Sequence, residues 1–122
     1  MNKAEIEKAC QAIKIEIETD VDVLDISAVQ KKLMNLTSLM GLSAETMKEA
    51  KAIIGYRQKD IINMERNSGL SASILKMKIQ SELWEEEAIY IYCDRLNAAI
   101  SHACDSLRTV ISLYKTEMQH SI

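Results

Sequence analysis

The last part of the chain most constrains its fold. Residues 71–119 contain no glycine and no proline, the two residues that most often end a helix. From residue 89 onward, apolar side chains recur in alternating steps of four and three, the spacing that keeps one side of a helix turned toward a partner helix. The segment therefore predicts one very long helix, over about residues 72–119, that packs along much of its length. The apolar seam consists of Ile89, Cys93, Leu96, Ile100, Ala103, Leu107, Val110 and Tyr114.

The composition points to the same fold class. The 122 residues include seven methionines and three glycines but no proline and no phenylalanine, as is typical of helical bundles rather than β-sandwiches or disordered chains. A chain of this length forms one core. We therefore expect a single, mostly α domain over residues 1–122, a bundle of three or four helices with a very long C-terminal helix.

Two turn signals and one capping signal set the predicted boundaries. Residues 41–44 and 69–72 both read Gly-Leu-Ser-Ala, so each places a serine at a helix N-cap directly after a glycine that can close the previous helix. Ser27 and Gln30 are spaced as a capping box. These signals predict helices over residues 27–40, 44–67 and 72–119.

Residues 1–26 carry two conflicting patterns. A helical stripe is formed by Ile6, Cys10, Ile13 and Ile17, whereas residues 13–23 alternate strictly between apolar and polar, as in a half-buried strand. No other part of the chain alternates, so a strand here would need a partner from a second copy or another protein. We favour a helix over residues 3–18 followed by an extended linker to Asp25.

The length of the last helix predicts self-association. A helix of 48 residues would be about 70 Å long, more than one compact chain of this size can cover. The positions that flank the seam carry no charge, which widens the apolar face. We expect a homo-oligomer, with an antiparallel dimer as first choice; the alternative is a helix that kinks within residues 82–87 and folds back on its own chain. The expected oligomer interface is Ile89, Leu96, Ile100, Ala103, Leu107, Val110 and Tyr114.

The opposite side of the long helix is a candidate partner-binding face. It is rich in short polar side chains and in arginines, which can grip carboxylate or phosphate groups; the alternative is an ordinary solvated face. Arg57 falls in an apolar helical series, where a charge must be paired, reach solvent or line a pocket. Gly55, in the same predicted helix, suggests close contact with a neighbouring backbone. The candidate binding residues are Arg57, Arg95, His102, Asp105, Arg108 and Lys115.

Charge and cysteine content narrow the possible partners. A net charge of −3 argues against general binding of nucleic-acid backbones, which requires clustered basic side chains. Three cysteines without metal-type spacing are interpreted as reduced, structural thiols in a cytoplasmic protein. Residues 1–5 lack the apolar stretch of a signal peptide and no apolar run approaches the length that spans a bilayer, so we expect no membrane association.

Catalytic and metal sites are not predicted. Glu117 and His120 have the spacing of a di-iron motif without the further carboxylates that such a site needs. His102 with its neighbours supplies too few ligands for zinc, and the acidic residues 20–25 lack the glycine of a calcium loop. No nucleophile with a plausible base stands out. We expect a protein that is not an enzyme and has no cofactor.

The C-terminal half resembles a known group of proteins. Residues 95–102 read Arg-Leu-Asn-Ala-Ala-Ile-Ser-His, and residues 107–112 and 115–117 read Leu-Arg-Thr-Val-Ile-Ser and Lys-Thr-Glu. This ending resembles that of small uncharacterised helical proteins of Bacteroides-type phages and prophages. The resemblance implies an origin in a mobile element and an accessory role.

Two functions follow as hypotheses. The first is a non-enzymatic helical assembly and binding protein that presents the Arg95 to Lys115 face to a partner. The second is a host-defence antagonist, which either mimics nucleic acid or sequesters a small phosphorylated ligand in an arginine-lined pocket between subunits. Mimicry would use the acidic strip Glu16, Glu18, Asp20 and Asp22 on one exposed face.

Overall fold

The chain forms four helices and is mostly α. A computed structural model describes residues 1–120 and contains α1 (Lys3–Glu18), α2 (Ile26–Met64), α3 (Ala72–Glu82) and α4 (Trp84–His120). No strand occurs in these 120 residues. The predicted helical bundle with a long C-terminal helix is confirmed.

The two longest helices form an antiparallel hairpin. Ser43 on α2 meets Asn97 on α4, with 3.1 Å between the serine Oγ and the amide Oδ1. Further along α2, Arg57 meets Glu86, which lies earlier on α4. The 39 residues of α2 and the 37 of α4 correspond to lengths of about 58 and 55 Å, so each helix can cover most of the other.

The short α1 lies against this hairpin, parallel to α4. Lys3 contacts Glu86 and Cys10 contacts Cys93, so α1 and α4 run in the same direction. The buried face of α1 consists of Ile6, Cys10 and Ile13. The middle of the molecule is therefore a three-helix bundle, whereas both ends of the long hairpin extend beyond α1.

The predicted turn at residues 41–44 is wrong, because α2 continues through it. Gly41 is exposed in the middle of the helix, and Ser43, expected to be an N-cap, is fully buried and bonded to Asn97. The buried side of α2 keeps its phase across the glycine. It follows an unbroken pattern of steps of four and three through Val29, Leu33, Leu36, Met40, Ser43, Met47, Ala50, Ile54, Arg57 and Ile61.

The other helix boundaries agree in part with those predicted from the sequence. Ser71 caps α3, as predicted, by accepting a bond from the Ile74 amide at 3.3 Å. α2 begins one residue before the predicted start, because Asp25 rather than Ser27 is its N-cap. It ends at Met64, three residues before the predicted end at residue 67. Gly69 has a φ of +76°, the left-handed conformation that glycine adopts most easily.

The helix favoured for residues 3–18 is confirmed. Asn2 and Glu5 form a capping box at its start, where the Asn2 Oδ1 accepts from the Glu5 amide at 2.8 Å. Residues 19–25 form the expected non-helical linker. The helical stripe prevails over the strand pattern because it packs Ile6, Ile13 and Ile17 against the hairpin, whereas Ile15, which belongs only to the strand pattern, is 55% exposed.

The last helix is interrupted at Leu83, within the segment expected to kink. The Leu83 amide still bonds the Ile79 carbonyl at 3.1 Å, and its own carbonyl accepts from the Glu87 amide at 2.9 Å. Leu83 is completely buried. The interruption therefore separates α3 from α4 without a loop between them.

The apolar seam of α4 packs within its own chain. Cys93, Leu96, Ile100 and Leu107 belong to the buried core, and Ile89, Ala103 and Val110 pack against it, whereas Tyr114 is partly exposed. The expectation that one chain cannot cover this helix is wrong, because the predicted helix of 48 residues is divided at Leu83 and the 39-residue α2 runs along α4. These core residues are covered by α1 and α2 and do not form the outer surface of the protomer; self-association itself stays a prediction.

The expected close contact at Gly55 is also wrong. A Cβ built on Gly55 or on Gly41 meets no atom of residues 1–120 within 4 Å, apart from the helix itself and the neighbouring residues. Both glycines therefore lower the stability of α2 without a packing benefit inside this chain.

We predict that Gly41→Ala raises the free energy of unfolding by about 0.5–1 kcal/mol, because alanine has the higher helix propensity and meets no obstacle. The matched control is Gly69→Ala, which should lower it by about 1 kcal/mol because alanine is strained at positive φ. Urea denaturation of both variants measures the difference. Equal destabilisation by the two substitutions would indicate a turn at residues 41–44.

Candidate binding surface

The predicted partner-binding residues of α4 all lie on its exposed side. Arg95, His102, Asp105, Arg108 and Lys115 are solvent-exposed, and the Asp105 Oδ1 and Arg108 Nη1 atoms are 3.2 Å apart. We call these five residues the polar face. An exposed pair of this kind contributes little to stability, so its side chains remain available to a ligand.

Arg57, the sixth predicted binding residue, lies outside the polar face. It projects from α2, and its Nε atom is 3.5 Å from Glu86 Oε1 while its side chain is 47% exposed. Of the three alternatives for a charge in this apolar series, Arg57 is thus both paired and in reach of solvent. Glu86 lies more than twenty residues before Arg108 on α4, a separation of about 30 Å. Arg57 is therefore not part of the polar face.

Glu86 joins three helices. Its side chain is 5% exposed, and its Oε1 atom accepts a bond from Lys3 Nζ of α1 at 2.9 Å as well as facing Arg57 of α2. The bond from Lys3 holds the pKa of Glu86 below its ordinary value against the opposing effect of burial, and the same bond raises the pKa of Lys3. The second oxygen, Oε2, is buried without a hydrogen-bond partner in residues 1–120. This cluster fixes α1 to the hairpin.

We predict that Glu86→Gln destabilises the fold most near neutral pH. The ordinary pKa is 4.5, and because the folded value is lower, the ionised carboxylate contributes stability that is present above that pH and is lost as pH falls through the folded pKa. The difference in unfolding free energy between the wild type and the variant should therefore be largest near about pH 7 and shrink below about pH 4.

Denaturant titrations at a series of pH values measure this difference, with Glu85→Gln as the matched control, because Glu85 is exposed in the same helical turn. A difference that stays constant down to about pH 3 would show that the charge of Glu86 does not stabilise the fold.

A second apolar stripe, which the sequence analysis missed, lies on the outside of α3 and α4. Ile74, Met77, Trp84 and Ile91 are 53%, 68%, 69% and 50% exposed, and Ala88 is exposed between them. Together with Ser81, these five residues recur in steps of three and four along α3 and α4. They therefore share one side of the helices and point away from the buried seam. We call this set of six residues the outer stripe.

The outer stripe begins on a helix that is poorly covered. No residue of α3 is buried, although Leu75 and Ile79 line a groove of about 440 Å³ between α3 and α2 together with Ile62. A helix that is apolar on several sides normally lies inside a protein. α3 therefore has more apolar surface than its own chain covers.

The outer stripe and the polar face form one continuous surface. From Ala88, steps of seven residues lead to Arg95 and then His102, and from Ile91 they lead to Asp105 after two steps. Positions seven residues apart lie nearly above one another on a helix. The outer side of α3 and α4 is therefore apolar up to residue 91 and polar beyond it.

Another apolar patch lies at the opposite end of the hairpin. Val23 and Leu24 of the linker are 56% and 88% exposed beside Leu113 and Tyr114 of α4, with which they line a shallow groove. This patch is formed by the linker and one helix, so its side chains do not follow a helical repeat.

The three cysteines are free and buried, as expected of structural thiols. The Cys10 and Cys93 sulfur atoms are 3.5 Å apart between α1 and α4. Burial, with the neighbouring thiol as the next cause, raises the pKa of Cys10 to about 12. Because the thiolate is the reactive form, Cys10 is unreactive while α1 stays in place.

We predict that Cys10 in the folded protein reacts with iodoacetamide at pH 8 at least about 10³-fold more slowly than in the urea-unfolded chain. Mass spectrometry of digested samples gives the rate for each cysteine. Rates that differ by less than about tenfold would mean that α1 detaches readily.

The features required by the antagonist hypothesis are not assembled. Glu16 and Glu18 lie about 200° apart around α1, where Glu16 accepts a bond from Asn35 and Glu18 pairs with Lys14. The acidic strip is therefore split between two sides. The four main grooves formed by residues 1–120 are lined by no arginine.

Two other kinds of site are absent from the described residues. Residues 1–120 contain no group of three or more His, Cys, Asp or Glu side chains placed to hold a metal ion. No helix in this part of the chain combines the length and the apolarity needed to cross a bilayer.

Comparison with known proteins identifies no relative. No family model, no curated protein and no solved structure matches the chain. Its function is therefore inferred from the surface described above.

Proposed function

We propose that the chain is a non-enzymatic helical assembly and binding protein that acts through the outer side of α3 and α4. The observation that carries this proposal is the outer stripe, in which four large apolar side chains, Ile74, Met77, Trp84 and Ile91, are each at least half exposed on one side of the helices. Single exposed apolar residues are ordinary on protein surfaces. A contiguous stripe with helical spacing marks a surface that another helix covers.

The residue types in the stripe support binding. Trp84 provides a large side chain whose exposed surface would be buried by a partner, and aromatic residues together with methionine are enriched at protein interfaces. Methionine adapts its shape to a partner more easily than branched side chains do. The stripe therefore provides most of the binding energy in this proposal.

The polar face supplies selectivity. Arg95, Arg108 and Lys115 place cationic groups on the continuation of the same surface, with Asp105 and His102 between them. Charges at the edge of an apolar contact favour one partner and orientation by attraction and disfavour others by repulsion. A partner that reaches past residue 91 would carry acidic groups opposite these cations.

The resemblance to phage and prophage proteins adds a biological setting to this proposal. A short chain that binds through one helical face fits an accessory protein of a mobile element, which acts on a larger partner rather than on a small substrate. The antagonist hypothesis is not developed further, because its acidic strip is split between two sides of α1; an arginine-lined pocket between subunits stays a prediction.

The proposal is tested by placing the photo-crosslinking residue p-benzoylphenylalanine at Met77 in cells that naturally carry the gene. Because Met77 is 68% exposed, the substitution leaves the core intact. We expect discrete adducts after irradiation, formed with another protein or with a second copy. Mass spectrometry identifies them.

The matched control carries the same residue at Lys51, an exposed position on α2 outside the outer stripe. Adducts should form from position 77 and not from position 51. The proposal fails if position 77 gives no adduct or the same pattern as position 51.

A further inference from the structure

We infer that the partner of the outer stripe is a second copy of this chain, paired with it antiparallel about a two-fold axis between residues 82 and 83. This inference rests on the proposed function and specifies its partner. An interface of this kind uses the same surface on both copies. It would be built from outward-facing residues and leaves the buried seam of each protomer intact.

The apolar residues of the stripe complement themselves in this register. Ile74 lies opposite the partner's Ile91, Met77 opposite the partner's Ala88, and Ser81 opposite the partner's Trp84. The two long or bulky side chains, Met77 and Trp84, thus each meet a small one. Large residues opposite small ones allow two helices to interdigitate without voids.

A parallel pairing of the same stripes lacks this fit. It would place Trp84 against the partner's Trp84 and Ala88 against the partner's Ala88. The first contact is crowded and the second leaves a gap, and both lower the packing quality of the interface. Size alone therefore favours the antiparallel arrangement.

The charges beside the stripe favour the same arrangement. Lys78 flanks its first half, and Glu85 flanks its second half on the same edge of the stripe, one heptad further along. Antiparallel pairing sets this edge against the same edge of the partner and brings Lys78 near the partner's Glu85. Parallel pairing sets it against the other edge, where the uncharged Gln80 lies nearest, so this attraction is lost.

Lys78 has an existing contact that must be compatible with this pairing. Its ammonium group pairs with Glu65 of its own chain, and its side chain remains 38% exposed. An ammonium group has three donors, so Lys78 can keep Glu65 and still approach a second carboxylate.

The register is tested by disulfide cross-linking of two single variants, Met77→Cys and Ala88→Cys. In the proposed dimer these positions are neighbours across the interface, whereas position 77 and the partner's position 77 are about 16 Å apart, too far for a disulfide. Oxidised glutathione accepts the two electrons: two cysteine thiols become one disulfide, and glutathione disulfide becomes two glutathione thiols.

We expect a covalent dimer on a non-reducing gel when the two variants are mixed, and none when either variant is oxidised alone. The wild-type chain, whose three cysteines are buried, provides the background. Dimers from each single variant alone would indicate parallel pairing and overturn the inference.

Light scattering of the unmodified chain supplies an independent readout. We expect a mass of twice 13.8 kDa at high concentration, and Trp84→Lys should raise the dissociation constant at least about tenfold. Thr109→Lys, an exposed substitution on the polar half of the same surface, should leave it unchanged. Circular dichroism checks that both variants keep their helices.

A mass of one chain at every concentration, with no cross-link in the mixture, overturns the inference. The proposed function is then decided separately by photo-crosslinking at Met77. Adducts with a different protein would keep the proposed function and reject self-pairing, whereas no adduct at all would reject both.

Discussion

The packing of α4 on an uninterrupted α2 is the interaction on which the rest of the structure depends. The two helices are nearly equal in length, so the long apolar seam of α4 is buried without help from another chain. A break in α2 at Gly41 would leave half of that seam exposed. The local cost of a glycine, about 1 kcal/mol, is small beside the burial of several large side chains. Tertiary packing therefore decides the conformation of residues 41–44.

The position of α1 determines what remains on the outside. Glu86 holds Lys3 and Arg57 from two other helices, and the side chains around Cys10 and Cys93 fill the interface behind them. Because α1 covers only the middle of the hairpin, α3 projects beyond it with no buried residue of its own. The exposed apolar surface of α3 is thus a consequence of the length of α1, whereas that of the start of α4 lies beside α1 on a side of the helix that neither α1 nor α2 covers. That surface is the physical basis of the proposed binding function.

The sequence predicted the helical class, α1 and its stripe and the Ser71 cap. In place of the single helix predicted over residues 72–119 there are two, which meet within the segment named for a kink in the alternative. The turn predicted at residues 41–44 was wrong because it rested on local capping signals alone. The longer-range signal was the repeat of buried positions in α2, which keeps its phase from Val29 to Ile61 across Gly41. The buried bond from Ser43 to Asn97 joins residues 54 positions apart, which no local pattern shows. The outer stripe was visible as spacing, yet both stripes have the same repeat, and only the placement of α1 and α2 decides which one is buried.

The central claim, that one chain covers its own seam with a continuous α2, is tested most directly by amide hydrogen exchange across residues 36–50 over a dilution series. Protection of a buried helix reflects the free energy needed to open it. We predict that the amides of residues 41–46 are protected as strongly as those around Leu36 and Ala50, and that the ratio of their protection does not change on dilution. Fast exchange confined to residues 41–44, or protection that disappears as the protein is diluted, would show instead that α2 is broken or that the seam is covered by another copy.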